Sequence, residues 1–506
     1  MPAKFDRWRP TQEEIIRVMI TDQKRVSAIC GATGSGKTAA YVAGAILSGK
    51  PTCIVTDNRG LQDQVLEDFS SCGLVDIRGR SNYDCGLRPD YTCEDGYAAR
   101  CPYRGTVMCP ASQAEMRAAI SPLVSTNYAK WTSARKFGTG MTHFQQVIFD
   151  EGHQAPGALE SAMQVLISHR EIEDNLGLDL LSDEASMVDW KIWAVTARKL
   201  AEEEMIEAAK KLKGDVKPSW VRHYLHMKNL SRRLSVLSTS SPKDWIVDTH
   251  DKGFQFDPIR AGRYGEAALL LRIPRIIIIS ATLRPKTMFM LGLGQQDFSF
   301  TEFDSEFDPK RCPTYWIPTL QINHRVKDLT PLWNRLDQIM SRRRDRKGII
   351  HTVSYARRDE LMGRSRFSDS MIVNPQGEPS TETVAAFKRS PPGTTLVSPS
   401  VGMGYDFPGL ECEWQFICKV PFPDGRSKIQ EARRAEDKEY GAYYAMQKLV
   451  QALGRGMRSA GDRCENFIVD DNISWFRRNY GHLAPKSFHM FFQISDVVPP
   501  PPEKLK

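Results

Sequence analysis

The stretch Gly31-Ala32-Thr33-Gly34-Ser35-Gly36-Lys37-Thr38 decides the fold, because it is a complete G-x-x-x-x-G-K-[ST] phosphate-binding loop. Residues 26–30 before it are apolar and predict a buried strand, and residues 39–47 after it predict a helix. Backbone N–H groups cradle phosphate oxygens in such a loop, Lys37 reaches the β- and γ-phosphates, and the Thr38 hydroxyl ligates Mg²⁺. The predicted cradle consists of Gly31, Gly34, Ser35 and Gly36. The alternative is a glycine-rich turn with a chance lysine, and the flanking strand and helix argue against it.

Composition limits the class of protein. The chain has 506 residues, 41% of them hydrophobic and 26% charged, with a net charge of +8 and eleven cysteines. This length is typical of about three or four domains, and the charge suits a polyanionic partner without requiring one. Because no apolar stretch is long enough for a bilayer and the N-terminus lacks the apolar core of a signal peptide, we expect a cytoplasmic protein without a membrane partner. Its cysteines are then expected to be thiols or metal ligands.

Alternation of strands and helices predicts a parallel α/β sheet around the loop. Residues 52–56 form a second short apolar run, and residues 58–66 predict a loop that enters a helix. Upstream, Gln12 opens an amphipathic helix. A glutamine here could read the adenine edge of a nucleotide, although by itself it is better explained as a helix-start residue.

Two acids follow the apolar run at residues 145–149. Asp150 can hold Mg²⁺ directly or through water, and Glu151 can orient and deprotonate an attacking water. Acidic strand ends are common, so Asp150-Glu151-Gly152-His153 indicates a nucleotide site only in combination with the phosphate loop upstream. Another apolar run, at 275–279, ends in Ser280-Ala281-Thr282, whose hydroxyls can couple a nucleotide site to a neighbouring groove.

Four cysteines stand at intervals of eight residues in a segment too polar to build a large core. They are Cys85, Cys93, Cys101 and Cys109. Four thiolates could hold an iron–sulfur cluster or zinc, although the usual C-x₂-C zinc knuckles are absent. The alternative is four unrelated thiols in an extended loop, which their local density argues against.

A change of periodicity predicts a helical insertion at about residues 155–250. The basic stretch at 228–233 within it is best explained as a solvated helix face. We expect the chain to return to the sheet at residues 256–259.

A linker at residues 303–313 leads to a second α/β unit. Its predicted strands are residues 348–352, 371–373, 395–397, 415–418 and 466–470. The basic run at 342–347 predicts a solvated helix end, and the proline-rich tail at 499–503 predicts a frayed terminus. The glycine-rich turn at 402–409 carries Asp406.

A pair of arginines closes the pattern in this second unit. Arg455 and Arg458 follow Gln451 and are three residues apart, so one helical face would present both guanidinium groups. Such a pair can act as arginine fingers on a γ-phosphate across a domain cleft. Standing alone, the motif would be a basic surface helix.

Taken in order, these motifs resemble those of superfamily 2 helicases, specifically the XPD/DinG iron–sulfur branch, over residues 9–470. The resemblance assigns residues 9–12 to the Q motif, 31–38 to motif I, 57–64 to motif Ia, 150–153 to the D-E-A-H form of motif II, 280–282 to motif III and 451–458 to motif VI. The branch is indicated by residues 79–85, which resemble the lead-in to the first cluster cysteine, and by residues 123–128 after Cys109.

Three departures from the family pattern stand out. Gly152 replaces the usual alanine of motif II, a change that we expect to be tolerated. Met403 stands where motif V usually has glutamate, which leaves Asp406 as the expected acid of that motif. The even cysteine spacing and compact insertions suggest a small phage or bacterial form.

The resemblance implies an α/β fold of two RecA-like parallel-sheet motor domains, with a small cysteine-rich cluster insertion and a helical arch insertion in the first. The implied boundaries are 1–78, 116–154 and 251–310 for motor domain 1, 79–115 for the cluster domain, 155–250 for the arch and 311–506 for motor domain 2.

The implied function is an ATP-dependent DNA helicase of DNA repair or replication. It would use ATP, Mg²⁺ and a [4Fe-4S] cluster on the four cysteines, with zinc as the alternative occupant. It would act as a monomer on single-stranded and forked DNA and move 5′ to 3′, and an RNA strand stays open as a substrate. Tyr128 and Trp131 are candidate base-stacking residues, with core packing as the favoured alternative. Two other functions remain: a DNA-stimulated ATPase that remodels protein–DNA complexes without unwinding, and a non-catalytic zinc-containing nucleic-acid-binding module.

Overall fold

Two seven-stranded parallel sheets form the framework of the protein. The computed structural model describes residues 7–136, 143–212, 217–250, 252–323, 325–399, 405–459 and 461–503. The α/β class and the two RecA-like domains predicted from the sequence are therefore confirmed.

The elements up to the interdomain linker are α1 (Pro10–Thr21), β1 (Val26–Cys30), α2 (Lys37–Ser48), β2 (Thr52–Thr56), α3 (Arg59–Phe69), β3 (Val75–Asp76), α4 (Cys93–Ala98), α5 (Pro110–Ile120), β4 (Leu123–Asn127), α6 (Tyr128–Lys136), β5 (Gln146–Phe149), α7 (Ala155–Met163), β6 (Val165–Ser168), α8 (His169–Leu176), α9 (Met187–Lys210), α10 (Pro218–Thr239), β7 (Trp245–His250), β8 (Gly253–Pro258), β9 (Arg275–Ser280), α11 (Pro285–Met290) and β10 (Phe298–Glu302).

The elements after the linker are β11 (Thr314–Leu320), α12 (Thr330–Ser341), β12 (Gly348–His351), α13 (Tyr355–Arg364), β13 (Met371–Val373), α14 (Thr381–Arg389), β14 (Thr395–Ser398), β15 (Trp414–Ile417), α15 (Lys428–Glu436), α16 (Tyr440–Leu453), β16 (Glu465–Asp470), α17 (Asn472–Tyr480), α18 (Lys486–Phe491) and β17 (Phe492–Ile494).

The first sheet has the strand order β10-β1-β9-β5-β2-β4-β3. Every residue of β1, β9 and β5 is buried, as expected of central parallel strands covered by helices on both faces. Cys30 at the end of β1 pairs with Ser280 at the end of β9, and Phe149 of β5 pairs with Ile278 of β9. The register therefore brings the phosphate loop, the acid pair and Ser280 to one edge of the sheet.

The helical insertion is a long hairpin, α9 and α10, standing on a small antiparallel sheet of order β6-β8-β7. The prediction that the chain re-enters the large sheet at residues 256–259 is wrong, because β8 pairs with β6 and β7 instead. The large sheet resumes at β9. An apolar run in the sequence predicts a buried strand, but it does not predict which sheet the strand joins.

The cysteine-rich segment packs against the arch hairpin. Cys85 and Tyr91 share a small buried cluster with Leu212 and Val221, which flank the hairpin turn. The two insertions therefore have one common core. Within the arch, Arg233 is not a solvated charge, since its guanidinium donates to the Glu171 carboxylate and the Leu166 carbonyl.

The second sheet has the order β13-β14-β12-β15-β16-β11-β17, and all its pairings are parallel. The five predicted strands are confirmed within about a residue at each end. Sequence analysis missed β11 and β17. The strand β11 contains Pro318 and follows the linker directly, and β17 is only three residues long with two of them exposed.

The basic run and the C-terminal tail were both misjudged. Arg343 is fully buried and forms a two-pronged ion pair with Glu465, at 2.7 and 2.8 Å. Arg343 also donates to the Pro499 carbonyl at 3.2 Å, and Arg346 donates to the Pro502 carbonyl. The tail is therefore held by the arginines of residues 342–347, which are not a solvated helix end.

Two further expectations can be settled from burial. Tyr128 is 4% exposed and Trp131 is fully buried, with its indole N–H donating to the Leu269 carbonyl at 2.8 Å, so core packing is their role here. Across the described part of the chain, no helix is both long and apolar enough to cross a membrane.

Candidate active site at the interdomain cleft

A cleft of about 310 Å³ separates the two large sheets and gathers the predicted motifs. The predicted residues that line it are Gly34, Gly36, Lys37, Thr38, Asp150, Glu151, Asp406, Gln451, Arg455 and Arg458. Arg455 and Arg458 thus face the phosphate loop, as a shared nucleotide site requires. Gln12, Gly31 and Ser35 lie beside the cleft without lining it.

The phosphate loop needs its glycines for conformation and for close approach. Gly34 has φ 75° and Gly36 has φ 73°, a region that favours glycine. A Cβ added at Gly34 would lie 2.4 Å from Cζ of Phe307 in the interdomain linker. The loop tip is therefore in contact with the linker, and α2 begins at Lys37 with its N-terminus towards the cleft.

Lys37 is held inside the loop. Its Nζ donates to the Ala32 carbonyl at 3.2 Å. Burial lowers the pKa of the Lys37 ammonium, although Glu151 and Asp150 act in the opposite direction. A partly buried cation with one carbonyl partner is well placed to exchange that carbonyl for phosphate oxygens.

Gln12 supports the loop from outside. Its Nε2 donates to the Gly36 carbonyl at 3.0 Å, and its Oε1 accepts the Arg9 backbone N–H at 2.9 Å. Both ends of the amide are thus engaged within the protein. Contact between Gln12 and an adenine stays a prediction.

The acid pair has two distinct environments. Asp150 accepts the Tyr41 hydroxyl at 3.0 Å and the Glu151 backbone N–H at 2.9 Å. Burial, with the charge of Glu151 next, raises the pKa of Asp150 to about 6. Burial would raise the pKa of Glu151 as well, but the His153 ring and the charges of Lys37 and Arg455 outweigh it and hold that pKa well below its usual range. Glu151 is therefore ionised and available to a water molecule at neutral pH.

Backbone geometry sets the direction of Glu151. It has φ 45° and ψ 44°, a left-handed conformation that is uncommon for a side-chain-bearing residue. The next residue, Gly152, lies so close to β9 that an added Cβ would be 2.3 Å from Cγ2 of Ile278. The close approach of β9 therefore favours glycine at 152 in this fold, and the expectation that glycine is tolerated there in place of alanine stays a prediction.

A hydrogen-bonded chain joins the acid pair to the second domain. Ser280 donates to Glu151 at 3.3 Å and lies 2.7 Å from Nδ1 of His153, and the opposite ring nitrogen contacts the Gln451 amide. The coupling role expected of the Ser280 hydroxyl has a physical path here. His153, which we did not include among the predicted site residues, is the link that crosses between domains.

The arginine pair is presented by a turn, not by a helix. The helix α16 ends at Leu453, so Arg455 and Arg458 lie beyond it and the helical-face argument was wrong. Asp406 accepts from Arg458 and lies 3.6 Å from Arg455, and Arg455 also donates to the Tyr405 carbonyl at 3.0 Å. Asp406 therefore orients both guanidinium groups. Met403 lies outside the described residues.

Several lining residues were not among the predicted site residues, although all but Gln154 lie in motifs that the resemblance assigns. They are Arg9, Asp57, Asn58, Leu61, Gln64, His153 and Gln154. Asn58 caps α3 by accepting the Leu61 N–H at 3.1 Å, and burial raises the pKa of Asp57. Their signal was available, because parallel strands end at one edge and a residue just after β2 must lie near the phosphate loop.

The four predicted cysteine ligands line one small cavity in the cysteine-rich segment. The Sγ atoms of Cys93 and Cys109 are 3.8 Å apart. A Cβ added at Gly96 would lie 3.0 Å from Sγ of Cys85 and 3.6 Å from Cβ of Cys101, so glycine lets α4 approach the thiols. All eleven cysteines are free thiols. Among the residues described, no three metal-binding side chains converge tightly enough for a single ion.

Comparison with known proteins defines the class. A DEAD/DEAH box helicase model matches residues 9–175, and a helicase C-terminal domain model matches residues 338–491. Together they cover most of both motor domains. The chain therefore carries a DEAD/DEAH box helicase domain and a helicase C-terminal domain, and it is an ATP-driven helicase enzyme.

Solved structures specify the fold within that class. An XPD helicase is 15% identical with a TM-score of 0.68 over 97% of this chain and 100% of that one. An XPD in the apo state, 14% identical, has a TM-score of 0.62 over 96% and 100%, and Xpd4 of S. tokodaii, 12% identical, has 0.60 over the same shares. The fold is that of the XPD helicases, as the motif order predicted. A search of curated proteins finds no significant match.

Proposed function

We propose that this protein is a DNA helicase that translocates 5′ to 3′ on single-stranded DNA and separates forked duplexes. The observation that carries the proposal is the cleft in which Lys37, Glu151 and Arg455 face one another from two domains. A nucleotide bound there touches both domains, so its hydrolysis changes their separation. Alternating closure and opening of two strand-binding domains is the physical basis of translocation.

The chemistry assigned to the cleft follows from its charges. Lys37 and the N-terminus of α2 bind the phosphates, and Asp150 and Thr38 would hold Mg²⁺, which would neutralise phosphate charge. Glu151 accepts a proton from the attacking water. Arg455 and Arg458 move from Asp406 to the γ-phosphate, where their charge stabilises the transition state.

A second cleft supports binding of a single strand. It has a volume of about 350 Å³ and lies beside the carboxyl ends of β12 and β15. Lys419 and Lys448 bring positive charge to it, and Phe422, 36% exposed, brings a face on which a base can stack. Backbone charge with aromatic stacking favours weak sequence preference.

We infer an iron–sulfur cluster at the four-cysteine site, with zinc as the alternative occupant. Thiolates around one zinc ion lie about 2.3 Å from it and therefore within about 4 Å of one another, a spacing that Cys93 and Cys109 meet at 3.8 Å. The preference for a cluster therefore comes from the absent C-x₂-C knuckles and from the resemblance to the XPD/DinG branch. Such a cluster would cross-link the cysteine-rich segment and stabilise the core that this segment shares with the arch.

Unwinding of 5′- and 3′-tailed duplexes tests the proposal. Anaerobically purified protein should separate the 5′-tailed fork in an ATP-dependent reaction, and Lys37→Ala should abolish turnover and unwinding while keeping the fold. Lys50→Ala, at an exposed position just after the same helix, is the matched control. DNA-stimulated turnover without strand separation would indicate a remodelling ATPase, and stimulation by RNA alone would contradict the DNA assignment.

Metal analysis tests the cysteine site. Serine at Cys85, Cys93, Cys101 or Cys109 should remove iron, labile sulfide and the brown colour, with loss of unwinding and some remaining ATP turnover. Cys72→Ser, outside the segment, should retain all of them. Zinc in the purified protein without iron would overturn the cluster assignment.

A further inference from the structure

One face of α16 contacts the first domain. Tyr443 shares a 2.7 Å hydrogen bond with Thr287 of α11, and Gln451 contacts His153, which in turn contacts Ser280. Residues 443, 447 and 451 are four apart and lie on the same face of the helix. Gln447 is therefore between two established interdomain contacts, about 6 Å along the axis from each.

Gln447 is buried on that face without hydrogen-bond partners. Its side chain is 3% exposed, and neither its Oε1 nor its Nε2 has a partner in the described structure. A buried amide without partners is costly, and most native proteins avoid one. Such a group calls for a functional explanation.

A matching unpartnered hydroxyl is present in the first domain. Thr282 is 1% exposed, and its Oγ1 has no partner among the described residues. From Tyr443 to Gln451, the helix contacts Thr287 of the first domain directly and reaches the Ser280 end of β9 through His153. Thr282 lies between Ser280 and Thr287 in the chain, and this order is the ground for pairing it with Gln447.

We infer that Gln447 is a positioning residue that hydrogen-bonds Thr282 when the cleft closes on nucleotide. In the present state the two groups are buried but unpaired, and closure satisfies both at once. Because α16 leads directly into residues 454–458, this bond fixes the end of the helix and thereby the direction of Arg455 and Arg458. The inference rests on the cleft being an ATPase site and does not require DNA as the substrate.

Isosteric variants test this role. Gln447→Met and Thr282→Val remove the polar atoms and keep the shapes, so the melting temperature should stay the same or rise. The kcat for ATP should fall about 3- to 10-fold with little change in KM, the factor supplied by one hydrogen bond that forms only in the closed state. Thr282→Ser, which keeps the hydroxyl, should retain activity.

The double variant and a control make the result decisive. Gln447→Met with Thr282→Val should be no slower than either single variant, because both remove the same bond. Thr395→Val removes another buried unpartnered hydroxyl, in β14, and should leave kcat unchanged. Wild-type kcat in Gln447→Met, or losses that multiply in the double variant, would overturn the inference. Turnover is measured without DNA, so a failure of DNA stimulation would contradict only the proposed helicase substrate.

Discussion

Glu151 shows how much of the catalytic geometry depends on a single neighbour. Its left-handed backbone turns the carboxylate towards the cleft, and this is possible because Gly152 packs directly on Ile278 of β9. A non-glycine residue with positive φ at an active site stores conformational energy that the surrounding packing must offset.

Gly152→Ala is therefore expected to damage the enzyme. The new methyl would lie 2.3 Å from Ile278 Cγ2, which forces β9 or Glu151 to shift. We expect a loss of about 1–3 kcal/mol in the free energy of unfolding and a lower kcat. Urea denaturation and steady-state ATPase assays measure the two effects.

Gly157→Ala is the matched control for that substitution. An added Cβ there has only Tyr444 nearby, at 3.9 Å, and the position is helical. Alanine should be neutral or stabilising by about 0.5–1 kcal/mol. Equal stability and turnover in Gly152→Ala and the wild type would show that the contact with Ile278 is relieved without cost.

At the residue scale the sequence predicted the identities better than the geometry. The loop, the acid pair and the arginines were predicted from their motifs, and the structure brings them to one cleft. The position of Arg455 beyond the end of α16 and the bond between Gln451 and His153 were not found. The first depends on where the helix α16 ends, and the second depends on which residues of the other domain lie next to it. Neither can be predicted from the spacing of residues along the chain.

At the scale of elements, the basic run and the tail form one unit. Proline residues lack N–H groups, so the tail cannot pair as a central strand, but its carbonyls remain free to accept hydrogen bonds. Arg342, Arg343 and Arg346 supply the donors. The basic run at residues 342–347 thus binds the C-terminal tail, which lies about 150 residues away in the chain.

Removal of the tail should weaken the second domain. In a variant that ends at Val498, Arg346 loses its carbonyl acceptor and Arg343 keeps only Glu465. We expect a loss of about 1–3 kcal/mol in the free energy of unfolding, measured with urea, because hydrogen bonds to charged donors are lost at partly buried sites.

Arginine variants identify the source of that loss. Arg346→Ala should destabilise the full chain by a similar amount and add little in the truncated one. Arg344→Ala, at an exposed position of the same run, should change stability by less than about 0.5 kcal/mol. An equal loss in Arg344→Ala would mean that the charge of the run matters and the tail contacts do not.

On the scale of the whole molecule, a buried ion-pair network holds the second domain to the base of the arch. Arg433 of α15 donates to Glu160 of α7 and to Asp257 of β8, both at 2.9 Å, and its side chain is 5% exposed. Tyr440 and Tyr444 of α16 also donate to Glu160, at 2.9 and 3.2 Å. The domains thus meet at this network as well as at the nucleotide cleft.

Arg433→Ala should loosen that second contact. It would leave two buried carboxylates without their cation, which costs about 3–5 kcal/mol where a buried pair is broken. Thermal unfolding should then show the second domain melting separately, and limited proteolysis should release it. Arg434→Ala, at the exposed neighbouring position, should melt like the wild type, and a single unchanged transition in Arg433→Ala would contradict the role of the network.

The alternation of strands and helices along the chain was enough to predict that there are two parallel sheets. The contacts between the two domains could not be predicted from the sequence. The partners of Arg433 lie more than 170 residues away, and nothing in their local sequence marks them as partners.

The core shared by the cysteine-rich segment and the arch has a consequence for how the protein is made. A ribosome delivers Cys85 and Tyr91 well before Leu212 and Val221, which later cover them. During that interval Cys85 is not yet covered by the hairpin. If the proposed cluster occupies this site, it would be inserted most readily while translation is still under way, before the hairpin packs against the segment.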